Sequence, residues 1–299
     1  MKKFILFIFF IVKKIKKLVA GKKLGRRFPW ILKLFNLLYT LINKQRKSGV
    51  VLTNVLDFKM FVDISTPAAR PYITDGAIEN FETEIFKKEI KEGMVVIDIG
   101  ANWGYYTLLA SSLVKENGKV FAFEPEPHNY EILVQNIKIN KCSNVVLFKK
   151  ACSNKSGYAK LFISSEMASH SLYYAESQKN YIEVELVTLD EIFKGREETI
   201  DLIKMDVEGG EMAILEGMRT IFSKNNRIKI FTEFFPERIR ASGYMPEDFL
   251  NTLIKYGYKI FYIDENKDKL VPVGIIECMQ LCESQNGINL FCVKDYFYD

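Results

Sequence analysis

The first 50 residues contain no aspartate or glutamate. They hold 14 of the chain's 42 Lys and Arg, while all 37 acidic residues lie beyond them, so the segment carries +14 and the remainder, with 28 basic against 37 acidic residues, a net −9. An acidic body with a short basic arm argues against nucleic acid as the partner, and none is expected. Cysteine is scarce too. The five thiols (Cys142, Cys152, Cys278, Cys282, Cys292) are odd in number and lack the spacing of zinc ligands. That argues against a disulfide framework or a zinc site and suits small residues in a reducing cytosol. Cys278 and Cys282 lie four apart, a spacing that shares one helical face, but no second pair accompanies them. Histidine is scarcer still, at His128 and His170. The apolar run Phe4 to Val12 is nine residues long. As helix it covers about 14 Å, half of a ~30 Å hydrocarbon core, so a simple span is not expected. It meets four lysines where a secretory signal would have a small-residue cleavage site. No internal repeat is visible.

The segment from Phe28 to Ile42 is apolar, contains Trp30 and has basic flanks, which fits a helix lying in a membrane interface. Each Lys or Arg near an anionic bilayer is worth about 1 kcal/mol, so residues 1 to 47 are expected to associate with an anionic membrane surface. The domain reading is therefore a basic, apolar segment at 1–49, strands and a linker at 50–80, and a catalytic domain at 81–299. Residues 50 to 65 alternate as short strands, with a hairpin turn expected near Asn54, and Pro67 and Pro71 break the pattern. A helix is expected over Glu79 to Ile90.

Strand candidates follow at Val95 to Ile99, Lys119 to Glu124, Val145 to Lys149, Ile200 to Asp206 and Ile228 to Phe234. Helical stretches lie between them at Tyr105 to Lys115, Pro127 to Asn140 and Glu211 to Phe222. This alternation predicts an α/β fold, a doubly wound Rossmann-like sheet, mostly parallel. Tyr158 to Ile163 and Tyr181 to Val187 read as paired strands of an insertion (158–187), with a polar segment between them that suits a lid or substrate loop. Towards the end come a helix at Pro246 to Tyr256, a strand at Tyr258 to Ile263, a turn-rich stretch from Asp264 to Lys269 and a strand near Ile288 to Val293. They suit a C-terminal hairpin strand inserted antiparallel.

The stretch Asp98-Ile99-Gly100-Ala101-Asn102-Trp103-Gly104 ends a buried strand and opens a helix. A dinucleotide fingerprint needs Gly-x-Gly-x-x-Gly, but Asn102 and Tyr105 stand where its second and third glycines belong. That counts against a nicotinamide-dependent oxidoreductase, the runner-up. The spacing suits a ligand with a nucleoside and a charged amino-acid tail but no pyrophosphate, such as S-adenosylmethionine. Asp98 is expected beside its ammonium group, directly or through water. Glu124, about 24 residues past Gly100 and at the end of the next strand, is placed to accept both ribose hydroxyls. Asp201, Asp206, Glu208 and Glu211 crowd the fourth strand and its exit. Capping of a helix N-terminus accounts for Glu211 better than for Asp206 and Glu208.

These pieces resemble an FkbM-type methyltransferase, a branch of the class I S-adenosylmethionine-dependent enzymes that commonly O-methylates sugars and natural products. The matching parts are Asp98 to Thr107, Phe123-Glu124-Pro125, Lys150-Ala151-Cys152-Ser153, Ser171-Leu172, Val187-Thr188-Leu189-Asp190, Thr232-Glu233-Phe234 and, most specific, Lys204-Met205-Asp206-Val207-Glu208-Gly209-Gly210-Glu211. The resemblance implies a cofactor cradle of Asp98, Gly100, Ala101, Asn102, Gly104, Glu124, Pro125 and Asp206, and a small-molecule or glycan acceptor. An alcohol acceptor loses a proton, which calls for a base. Asp206 is the first candidate, Glu208 the second and His170 the third. Asp206, Glu208 and Glu233 together form a conceivable carboxylate metal site, but oxygen clusters arise for many reasons and no metal is expected. The other alternative is a membrane-attached protein that binds the cofactor without turnover. The expected location is cytoplasmic, peripheral to the membrane.

Overall fold

The computed structural model describes residues 49–66, 68–74, 78–164, 170–173, 180–225 and 227–294. The membrane-associating segment expected at 1–49 lies, but for its last residue, outside them. The chain divides after Ile78 into two compact units. In the first, β1 (Val50–Val55) and β2 (Phe58–Asp63) pair antiparallel. The turn is at Leu56-Asp57 and not near Asn54, which sits in the ladder opposite Lys59. The apolar pair Val55 and Phe58 closes the ladder beyond Asn54, and Leu56 takes the positive φ of 50°. Among the described residues the helix α1 (Ala69–Thr74) comes next, and it contains Pro71, where a break in the pattern is expected. Proline is tolerated there because the first helical turn has no N–H partner to lose.

The second unit begins with α2 (Asn80–Glu89), followed by β3 (Val95–Ile99), α3 (Tyr105–Val114), β4 (Lys119–Phe123), α4 (Pro127–Ile139) and β5 (Val145–Phe148). A small sheet follows, made of β6 (Ala151–Cys152), β7 (Gly157–Phe162) and β8 (Tyr181–Val187), with β8 central and antiparallel to β7. Then come α5 (Leu189–Ile192), β9 (Leu202–Met205), α6 (Glu211–Glu216), α7 (Arg219–Lys224), β10 (Lys229–Phe234), α8 (Pro236–Ala241), α9 (Pro246–Lys255), β11 (Lys259–Asp264), β12 (Lys269–Pro272), α10 (Ile275–Gln285) and β13 (Ile288–Val293). The helix expected over Glu211 to Phe222 is two short helices. They part at Gly217, where a Cβ would come within 2.0 Å of the Ser153 carbonyl oxygen. The turn-rich stretch after Asp264 leads into β12, and α10 was not foreseen.

The main sheet runs β12-β11-β13-β10-β9-β3-β4-β5. From β10 to β5 it is parallel, and β13 lies antiparallel between β10 and β11. This is the expected α/β sheet with its antiparallel C-terminal strand. Every residue of β3 is buried, which explains why it reads as an unbroken apolar run with one acid. The chain moves outward from β3 to β4 and β5, then returns to β9 and β10 on the other side. At such a reversal the strand ends open a crevice. Ile99 pairs with Phe123 on one side and Met205 on the other, so the residues that follow each strand emerge side by side.

Candidate active site

A cleft with about 690 Å³ of empty space, its open mouth included, lies over these strand ends. From the sequence-predicted residues it collects Gly100, Asn102, Glu124, Pro125, His170, Asp206 and Glu208. Asp98, Ala101 and Gly104 are not among its lining residues.

The turn after β3 is fixed by backbone bonds. Gly100 and Ala101 both donate to the Phe123 carbonyl (2.9 and 3.0 Å), and Gly104 donates to that of Ala101 (2.8 Å). On the other side Asp206 N–H donates to the Ile99 carbonyl at 3.0 Å. The exit of β9 therefore lies hard against the turn, and this approach is why position 100 is glycine. Its φ is +81°, and a Cβ would stand 1.9 Å from the Asp206 carbonyl oxygen. Gly100→Ala is expected to destabilise the fold by about 2 to 5 kcal/mol, from the left-handed conformation and the overpacking together. Chemical denaturation measures this, and an unchanged midpoint would contradict it. Gly104 serves packing as well, since a Cβ there would meet Leu133 at 2.5 Å.

Glu124 is buried, and its two oxygens accept from the backbone N–H groups of Asn102 (2.8 Å) and Glu126 (2.9 Å). Burial pushes its carboxyl up to about 8 against the pull of those two donors. Each oxygen keeps a lone pair for a further donor. Asn102, at φ 49°, has a buried side-chain oxygen with no hydrogen-bond partner. Trp103 is fully buried and donates from Nε1 to Asn129 (2.9 Å), while Asn136 donates to its carbonyl (2.8 Å). It pins the turn to α4.

Asp98, expected beside the cofactor's ammonium group, stands behind the residues that line the cleft. It is buried, and its Oδ2 accepts from the Thr107 hydroxyl at 2.5 Å. Burial pushes it up to about 6. Its side chain ties β3 to the first turn of α3, behind the cleft lining.

The acidic run after β9 is separated by its partners. Asp206 is the most open, with a side chain 37% exposed and Oδ2 3.7 Å from Lys204 Nζ. Lys204 is buried and also lies 3.4 Å from Glu82 Oε1, with its ammonium 4.9 Å over the Tyr106 ring. Burial disfavours its charge, but Glu82 and Asp206 outweigh that and hold it protonated. Burial in turn raises Glu82. Glu208, at φ 58°, forms an ion pair with Arg238, and its carbonyl accepts from the Ser171 hydroxyl at 2.7 Å. Arg238 Nη1 also lies 4.0 Å from Glu233, and its guanidinium sits 4.2 Å over the Phe235 ring. Asp206, Glu208 and Glu233 each bring an oxygen within 4.8 Å of the others, so the cluster read from the sequence exists, with Arg238 as a cation beside it. Burial, then Asp206, raises Glu233 well above the carboxylate range. Burial pushes Glu211 up to about 7, although Gly209 N–H donates to it at 3.3 Å.

His170 lines the cleft, but Ser164 N–H donates to its Nδ1 (3.2 Å), and burial lowers its pKa. A neutral imidazole accepting at Nδ1 carries its proton on Nε2. The nitrogen that could take up a proton is therefore the one already bonded to Ser164, and Nε2 is left as a buried donor. Glu208, ranked second, already has Arg238. Arg238 and Glu82 were not singled out from the sequence. Glu82 had a readable signal, since it and Glu89 share the buried face of α2 with Ile85 and Phe86.

The sequence profile described as the Methyltransferase FkbM domain matches residues 98–260, just over half of the chain. The chain is 28% identical over 186 positions to Methyltransferase sdnD of Sordaria araneosa, covering 48% of this chain and 71% of that protein. It is 26% identical over 140 positions to Hexuronic acid methyltransferase AglP of Haloferax volcanii, covering 46% of this chain and 56% of that one. A SAM dependent methyltransferase structure from Aquifex aeolicus superposes with a TM-score of 0.41 at 17% identity, over 73% of this chain and 92% of that one.

Proposed function

The chain belongs to the FkbM methyltransferase family and is an S-adenosylmethionine-dependent methyltransferase, and from that premise we propose that it methylates a hydroxyl of a sugar or glycan at this cleft. The observation that carries the placement is the order of the strand ends. Asp206 at β9, Gly100 at β3 and Glu124 at β4 stand side by side in one cleft. The residues fit the cofactor. Glu124 offers two unused lone pairs where ribose hydroxyls need acceptors, and Asn102 offers an orphaned buried oxygen at the turn.

When bound, the cofactor supplies an electrophilic methyl group on a sulfonium. Glu124 fixes the ribose, and the turn from Gly100 to Asn102 gives the remainder a wall of backbone. Most of the acceleration of an in-line displacement comes from such positioning and from charge placement. Asp206 is the group that takes the hydroxyl proton, at its carboxylate. It is the most exposed acid of the trio, and its ion-pair partner Lys204 stands 3.7 Å away on the buried side. Lys204 holds it by charge from behind, while Arg238 engages Glu208 and Glu233.

A sugar acceptor is supported by the Haloferax relative, a hexuronic acid methyltransferase, and by the acidic cleft edge, which suits polyhydroxylated molecules. Incubation with S-adenosylmethionine and a panel of sugars and lipid-linked sugars is expected to give products heavier by one methylene. Transfer to amines alone would overturn the reading. The basic segment 1–47 remains proposed as a membrane-surface anchor for a cytoplasmic enzyme. Among the described residues no helix is long and apolar enough to cross a membrane. Flotation with anionic liposomes is expected to recover the full chain and not a chain lacking that segment, and equal recovery would exclude the anchor.

A further inference from the structure

His170 is held in one orientation at one end of the cleft. Its Nδ1 is taken by the Ser164 N–H, and its Nε2 is buried with no hydrogen-bond partner. The next residue fixes the backbone. Ser171 bridges to Phe162 at the end of β7, and its hydroxyl donates to the Glu208 carbonyl. A buried donor on a residue that lines a cleft costs free energy when left unbonded, unless a ligand accepts from it.

The strand order says which part of a ligand that is. Along the sheet the cleft passes from Asp206 to Gly100 to Glu124, and then to Lys150, Ala151 and Cys152, beyond the end of β5. At this last end the lining turns apolar, with Pro125, Leu161 and Leu172. The acid whose charge acts on His170 is Glu126, just after β4, and not Asp206. If the ribose sits on Glu124 and the amino-acid tail towards β3 and β9, what remains beyond Glu124 is the base. An apolar slot with one buried donor suits a purine, a flat ring whose edge carries unprotonated nitrogens.

We propose that the Nε2–H of His170 donates to a ring nitrogen of the adenine of S-adenosylmethionine, so that this residue recognises the cofactor and takes no part in proton abstraction. The assignment rests on the placement of the cofactor given under Proposed function.

The test is calorimetric titration of the full chain with S-adenosylhomocysteine and with analogues in which one adenine ring nitrogen at a time is replaced by C–H. The intact protein is expected to bind one analogue about tenfold more weakly, the effect of one buried hydrogen bond. His170→Phe is expected to bind the parent compound about tenfold more weakly and to lose the discrimination against that analogue. His170→Gln, which keeps a donor near the same point, is expected to retain it. Two results would overturn the proposal. One is indifference of the intact protein to every ring substitution. The other is a His170→Phe variant that keeps cofactor affinity but loses turnover, the signature of a base. Should His170→Phe fail to fold, the analogue series on the intact protein and on His170→Gln decides alone. Failure of the underlying placement looks different, because Glu124→Ala would then bind the parent compound as tightly as the intact protein does.

Discussion

Glu124→Ala should weaken S-adenosylhomocysteine binding by about a hundredfold to ten-thousandfold, because two hydrogen bonds to a charged acceptor are lost at about 1.5 to 3 kcal/mol each. The same site sets a pH dependence. Burial raises the carboxyl to about 8, and only its ionised form accepts from both ribose hydroxyls while still accepting from Asn102 and Glu126. Below that value binding must release a proton, so affinity is expected to rise about tenfold per pH unit on approach to it and to level off above. Glu124→Gln, which cannot ionise, should bind more weakly with no such slope. Calorimetry across the range reads both effects. A flat profile in the intact protein would remove Glu124 from the binding site, as would normal affinity in a folded Glu124→Ala.

Asp206→Asn is expected to lower turnover by about a hundredfold to ten-thousandfold, the range for loss of a general base. Cofactor affinity should change little, since the ribose contact is at β4 and the substitution is nearly isosteric. The contrast with Glu208 is informative. Glu208 is anchored by Arg238, and its backbone, at positive φ, receives the Ser171 hydroxyl. Its substitution should act first on the shape of the loop and lower thermal stability together with activity. Single-turnover methyl transfer at saturating cofactor separates the two. A wild-type rate in Asp206→Asn would return the search for a base to the neighbouring acids.

What could be read from the sequence was what one segment decides for itself. β3 was legible in full because a strand buried on both faces must be apolar throughout. Glu124 was legible because the distance from glycine turn to strand end is fixed by one helix and one strand. The acids after β9 were legible as a cluster and not as individuals, since their separation depends on Lys204 from within the strand, Glu82 from α2 and Arg238 from α8. The partner of Asp98 was not legible for the same reason. The Thr107 hydroxyl that takes its carboxylate belongs to the following helix. The break at Gly217 arises from Ser153, far away in the chain. α10 buries little beyond Cys278 and Cys282, while Ile276 is 69% exposed, so its apolar stripe is thin. The four-residue spacing of those cysteines was its signal.

The central claim is the direction in which the cofactor lies along the strand ends, from base at β5 through ribose at β4 to sulfur at β9. A crystal structure of the complex with S-adenosylhomocysteine tests it most directly. The account expects both ribose hydroxyls on the Glu124 carboxylate, the adenine edge at His170 and the sulfur on the Asp206 side of Gly100. A nucleoside bound with its ribose away from Glu124, or with its sulfur towards Lys150, would contradict it.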